Sequence, residues 1–158
     1  MQASIVLDER GHEVTLFEAS DKIGGQLNMA AVVPGKEEFH GMLAYFARMI
    51  EISGVTVRLN TRASAEDLEG FDEVIVATGV TPRDTEIEGQ DHPKVLTYID
   101  VLAGKAKVGE KVAVIGAGGI GFDVTEYLVQ EHPSPTVNIE EWLEEWGVVD
   151  PEQVAGGL

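Results

Sequence analysis

Residues 111–128 read KVAVIGAGGIGFDVTEYL, and the fold turns on this stretch. Residues 111–115 form an apolar run of strand length, and residues 119–130 carry the spacing of a helix. Between them, Gly116-Ala117-Gly118-Gly119-Ile120-Gly121 follows a strand and opens a helix, the context that gives such glycines a physical purpose. Gly116 permits the tight turn. Gly118, with Gly119 beside it, lets the backbone approach a pyrophosphate whose charge rests on the helix N-terminus. Gly121 allows close helix–strand packing. The pattern predicts a dinucleotide-binding turn; the alternative is a βα turn kept glycine-rich for packing alone. The residue that selects NAD or NADP belongs to the next strand of such a unit, and no such strand follows before Leu158.

Working outward toward the N-terminus, residues 12–27 read HEVTLFEASDKIGGQL. Residues 14–17 have the character of a buried parallel strand, closed by Glu18. A carboxylate ending the second strand of a dinucleotide unit accepts hydrogen bonds from ribose hydroxyls. Gly24 and Gly25 permit positive φ and close backbone approach, as a loop passing a flavin pyrophosphate requires; the competing reading is a plain turn. The Gln26 amide can donate to a phosphate or a flavin edge, or face water. The glycine-rich turn expected about 20 residues before Glu18 has no room after Met1. Residues 73–77 form another β-branched run, leading into Thr78-Gly79, small residues that let the chain pass close to a cofactor. Arg83 is read as pairing with nearby acids rather than with an anionic ligand.

Composition narrows the classes. The 158 residues are 44% hydrophobic and 25% charged, typical of a globular chain. A net charge of −17 argues against a nucleic-acid partner, since a phosphate backbone requires a basic face. No apolar run approaches the about 18 residues of a membrane span, and the N-terminus lacks a signal-peptide pattern, so the expected compartment is the cytoplasm. There are no cysteines, which removes disulfides, thiolate nucleophiles and cluster ligands from this stretch. His12, His40, His92 and His132 show no metal spacing and no Ser/His/Asp arrangement, so neither a catalytic nor a metal-binding residue is assigned.

The remaining elements fall into place around these motifs. Residues 1–10 read as a helix end with Gly11 as its cap. Phe39, Met42, Leu43, Phe46, Met49 and Ile50 mark an amphipathic helix over 36–53, ended by Gly54. Residues 55–59 form a strand, and 63–68 a short helical or irregular connection. Thr97 and Asp100 cap a short helix through Leu102. His132-Pro133-Ser134-Pro135 ends the helix after the second turn. Another helix carries Ile139, Trp142, Leu143 and Trp146 on one side, read as core or interdomain packing, with Glu140, Glu141, Glu144 and Glu145 on its wet face. Residues 155–158 resemble the start of a loop. Alternating strands and helices predict an α/β fold with a parallel sheet covered on both faces.

The segments GHEVTLFEASDKIGGQLNMA, VPGKEEFHGMLAYFARMIEISGV, VATGVTPR, DHPKVLTYIDVL and KVAVIGAGGIGFDVTEYL together resemble the C-terminal half of bacterial NADPH-dependent 2,4-dienoyl-CoA reductases, flavoproteins related to old yellow enzyme and trimethylamine dehydrogenase. PGKEEF, HPKVLTYIDVL and the EWGV segment carry the resemblance most specifically. It implies a partial Rossmann-like FAD-binding domain over 1–105 and the start of an inserted NAD(P)-binding Rossmann domain over 106–158. It also implies Glu18, Gly24, Gly25, Gln26, Thr78 and Gly79 at FAD, and Gly116, Gly118, Gly119 and Gly121 at NADPH. The longer protein would carry FMN in a (β/α)₈ barrel and a 4Fe-4S cluster, and would pass electrons from NADPH through FAD, the cluster and FMN to a 2,4-dienoyl-CoA of unsaturated fatty acid β-oxidation. Barrel, FMN site, cluster cysteines and proton donor lie outside these residues, so an internal, inactive fragment is expected. Two other readings stay open: a non-catalytic remnant or interaction module holding one nucleotide or none, and a related enoate reductase or amine dehydrogenase.

Overall fold

The structure, a computed structural model, describes residues 1–83, 85–130, 133–150 and 152–155. The expectations for His132 and for residues 156–158 lie outside them. The chain divides into two compact units: Met1–Asn28 with Phe39–Val95, and Met29–Glu38 with the described residues from Leu96 onward.

In the first unit, helix α1 (Gln2–Glu9) stops at Gly11, whose φ is +87°. The Gly11 amide donates to the Asp8 carbonyl at 2.8 Å and the His12 amide to the Leu7 carbonyl at 3.1 Å, the paired closure that a left-handed glycine allows. Strand β1 (Thr15–Phe17) follows, then the single-turn helix α2 (Leu27–Ala30) and helix α3 (Glu38–Ile52). Along α3, Phe39, Leu43, Phe46 and Ile50 recur at steps of four and three residues and are its shielded side, as the 3.6-residue period demands. Strand β2 (Thr56–Arg58) runs parallel to β1, with Thr15 opposite Thr56 and Phe17 opposite Arg58. Pairing continues past the strand ends, from the Glu18 amide to the Arg58 carbonyl at 2.9 Å and from the Asn60 amide to the Ser20 carbonyl at 2.8 Å. Ile5, Ile50 and Val55 supply the buried apolar side chains of this unit. Where α3 hands over to β2, the Gly54 amide donates to Asp8 Oδ2 at 3.1 Å. A Cβ at residue 54 would lie 2.6 Å from Asp8 Oδ1, so a side chain there would make the Asp8 carboxylate shift.

In the second unit, Thr97 caps helix α4 (Tyr98–Leu102): its hydroxyl accepts from the Asp100 amide at 3.1 Å and donates to the Asp100 carboxylate at 2.7 Å, which satisfies one of the free first-turn amides. Helix α5 (Gly119–Val129), a 3₁₀ turn (Pro135–Val137) and helix α6 (Ile139–Glu145) complete the regular structure. The core joins Val101 and Leu102 of α4, Val124 of α5, and Val33 from the strap Met29–Glu38.

Two expectations need correction. Residues 73–77 and 111–115 are not strands. Among the described residues neither run has a backbone–backbone hydrogen bond, and Ile75, Val76 and Ile115 are 61%, 79% and 79% exposed. A strand is defined by the neighbour it pairs with, and the two-stranded sheet of this chain offers them none. Nor does α6 form core: Ile139 and Trp146 are exposed, because the helix packs beside the 3₁₀ turn and contributes no buried residue. Trp142 and Trp146 instead lie against each other, ring centroids 6.0 Å apart.

Candidate nucleotide-binding sites

Glu18 stands where β1 ends. Its amide is held by Arg58, and its carbonyl accepts from the Thr61 amide at 2.9 Å, so β2 and the residues after it fix its backbone from both sides. Its carboxylate Oε1 accepts from the Ser20 amide and the Ser20 hydroxyl, each at 2.8 Å. The loop beyond has Gly24 at φ +112° and Gly25 at φ +52°. A Cβ at residue 24 would collide with Leu43 of α3 and with Asn28; one at residue 25 would meet nothing within 4 Å. The first glycine therefore lets the loop lie on α3, and the second leaves an open backbone face. Asn28 Nδ2 braces the loop by donating to the Ile23 carbonyl at 3.0 Å and the Gly25 carbonyl at 3.2 Å.

Gln26 is exposed, and its side-chain amide has a partner within the chain. Its Nε2 donates to the Val80 carbonyl at 3.0 Å, joining the double-glycine loop to the residue after Gly79, which has φ +74°. Glu18, Gly24, Gly25, Gln26, Thr78 and Gly79 thus belong to one unit, and the Gln26 bond brings the two loop segments together. A carboxylate at a strand end, in the same unit as two glycine-containing loops with open backbone at Gly25 and Gly79, suits the ribose and pyrophosphate of a flavin nucleotide.

The second turn lies in the other unit. Gly116 has φ +112°, and a Cβ at Gly121 would strike its carbonyl, so only glycine closes the turn this tightly. Gly118 is the N-cap of α5 and its carbonyl takes the Phe122 amide at 3.1 Å. A Cβ at Gly118 or Gly119 meets nothing within 4 Å. The turn therefore presents open space at a helix start whose first amides have no intrahelical acceptor, which suits a dinucleotide pyrophosphate.

Sequence reasoning missed the residues that hold this helix. Lys36 Nζ meets Asp123 Oδ2 of α5 at 2.6 Å. Next to it, Glu37 Oε2 accepts from the Thr136 hydroxyl at 2.7 Å. Burial opposes ionisation of the Glu37 carboxyl, but hydrogen bonds from Thr136, the backbone at residues 37 and 35, and Ser134 outweigh it and hold the pKa below the usual 4.5. The PGKEEF segment marked the region without revealing these partners. Elsewhere, His12, His40 and His92 are exposed. Two surface hollows, one lined by Thr136, Val137, Ile139 and Trp142 and one by Ile5, Asp8, Glu9, Met49, Ile52 and Ser53, include none of the expected site residues. Among the described residues, no helix is long and apolar enough to cross a membrane.

Comparison with known proteins places these features in context. The family model described as pyridine nucleotide-disulphide oxidoreductase matches residues 1–141. Cinnamate reductase of Clostridium sporogenes is 37% identical over 139 residues, covering 87% of this chain and 21% of that protein. NADH oxidase of Thermoanaerobacter brockii is 35% identical over 143 residues, covering 87% of this chain and 22% of that protein. The solved structure of 2-naphthoyl-CoA reductase in complex with 2-naphthoyl-CoA superposes with a TM-score of 0.77 at 31% identity, over 92% of this chain and 24% of that one. The chain thus spans less than a quarter of the length of these relatives.

Proposed function

The chain belongs to the pyridine nucleotide-disulphide oxidoreductase family, and from that premise we propose that it supplies parts of the FAD and NADPH sites of a longer reductase. Bound together, the two cofactors supply hydride transfer from nicotinamide to flavin, and the protein contributes binding and orientation. Glu18 holds the flavin-side ribose, while Gly24, Gly25, Thr78 and Gly79 let backbone pass close to the flavin nucleotide. Gln26 acts indirectly, by tying those two loops through Val80. Gly116, Gly118, Gly119 and Gly121 form the nicotinamide-nucleotide turn. The FAD-binding portion runs over 1–105 and the nicotinamide-nucleotide portion over 106–158. That seam concerns which ligand each part holds; the compact units instead divide the sequence between Val95 and Leu96 and assign Met29–Glu38 to the second.

The observation that carries this reading is the contrast within the second turn, where Gly121 is closed against Gly116 while Gly118 faces open space. Packing alone accounts for the first glycine and not for the second. For the final electron acceptor we propose a 2,4-dienoyl-CoA, reached through an FMN barrel and a 4Fe-4S cluster elsewhere in the longer protein. The PGKEEF, HPKVLTYIDVL and EWGV segments support that choice. A second reading, a non-catalytic remnant or interaction module holding one nucleotide or none, draws on the exposed runs at 73–77 and 111–115.

Gly118→Leu in the intact protein tests the proposal. Residue 118 has φ −85° and room for a side chain, so folding and FAD content should persist while NADPH no longer reduces the flavin. Unchanged NADPH turnover would remove the turn from the nucleotide site.

A further inference from the structure

Lys36 and Asp123, 87 residues apart in sequence, form an ion pair beside the second turn. Their side chains are 38% and 30% exposed, so water screens the pair only in part. Asp123 is the fifth residue of α5, about 6 Å along the axis from Gly119 at 1.5 Å per residue. The first turn of α5 has no acidic residue, which makes Asp123 the first acid the helix presents after its glycine-rich start. A carboxylate there favours the helix dipole but repels a phosphate seated at the N-terminus. Lys36 comes from the strap, whose Val33 is packed in the same core as Val124, the residue after Asp123. The lysine is therefore held beside the helix by more than its own charge.

We infer that Lys36 is a positioning residue for the dinucleotide, acting through Asp123: its ammonium cancels the carboxylate charge that would oppose a pyrophosphate at residues 116–121. The inference rests on the reading of that turn as the nicotinamide-nucleotide site. It assigns Lys36 no contact with the nucleotide. Its action is to neutralise Asp123 while keeping the strap against α5.

The dissociation constant of NADPH, measured by calorimetry on the intact protein with FAD content as a control, tests the idea in wild type, Lys36→Ala, Lys36→Arg and the double variant Lys36→Ala/Asp123→Asn. Lys36→Ala should weaken NADPH by about fivefold, an effect of one uncompensated charge across a partly solvated gap, and by less at high salt. Lys36→Arg should retain affinity. The double variant should return it to within about twofold of wild type, because the offending charge is gone. If Lys36→Ala binds as wild type does, the inference fails while the turn assignment stands. A double variant as weak as Lys36→Ala also overturns it, since the loss would then be mechanical. If the wild type itself does not bind NADPH, the turn assignment falls and this inference with it.

Discussion

Gln26 Nε2 donates to the backbone carbonyl of Val80 at 3.0 Å, a bond spanning 54 residues of sequence. Each partner lies in a loop shaped by glycine, Gly24 and Gly25 before one and Gly79 before the other. An amide side chain can supply the donor that such a carbonyl needs; a carboxylate of the same shape cannot.

Gln26→Glu should therefore part the two loops, placing acceptor against acceptor. The bond is exposed, so the loss of stability is expected at about 1 kcal/mol. Amide hydrogen exchange in the segments around residues 24–26 and 78–80 should rise together, and FAD affinity should fall. Exchange rising in one segment alone would show that the bond does not couple them.

Gly121→Ala is expected to destabilise the second unit by about 1–3 kcal/mol, because its Cβ would strike the Gly116 carbonyl and backbone would have to move. Chemical denaturation should register the change, whereas Gly118→Ala should leave the midpoint near wild type. Equal midpoints for both variants would contradict the closed geometry of the turn.

These local features were legible because short-range chemistry dictates them. The Gly11 cap, the α3 periodicity and the Thr97 cap each depend on residues within a few positions of one another. The glycines of 116–121 were legible for the same reason. Residues 73–77 and 111–115 have strand character in isolation, yet strand formation depends on a neighbour that the sequence of the run does not specify. Lys36–Asp123 and Gln26–Val80 join residues 87 and 54 apart, and a single sequence holds no signal for which lysine meets which aspartate. Trp142 and Trp146 show the reverse error, since helical spacing identified a common side but not whether anything covers it.

The Glu37–Thr136 contact should respond to acid. Because the folded carboxyl is held below its usual 4.5, its ionised form is favoured by folding. Its contribution is fully present above that value and is lost as pH falls through the lowered folded pKa. Glu37→Gln should flatten this part of the stability profile as pH falls below 4.5, read from urea midpoints. A wild-type profile that matches the variant throughout would show that the carboxylate contributes nothing.

The exposed β-branched runs predict self-association of the chain on its own, since unpaired apolar segments of strand character invite edge pairing. Ile75→Lys together with Val114→Lys should lower light scattering at equal concentration. Scattering unaffected by both charges would place the sticky surface elsewhere.

Val33 is 1% exposed and packs with Val101, Leu102 and Val124, although its strap is flanked in sequence on both sides by residues of the first unit. The second unit is therefore not a contiguous stretch of gene. A segment transplanted from Leu96 onward would leave behind the valine that fills its core, together with the lysine and glutamate that grip α5 and Thr136. Recombination that exchanges this unit between relatives must carry residues 29–38 with it or find a matching strap in the recipient, so the fold constrains which chimeras can work.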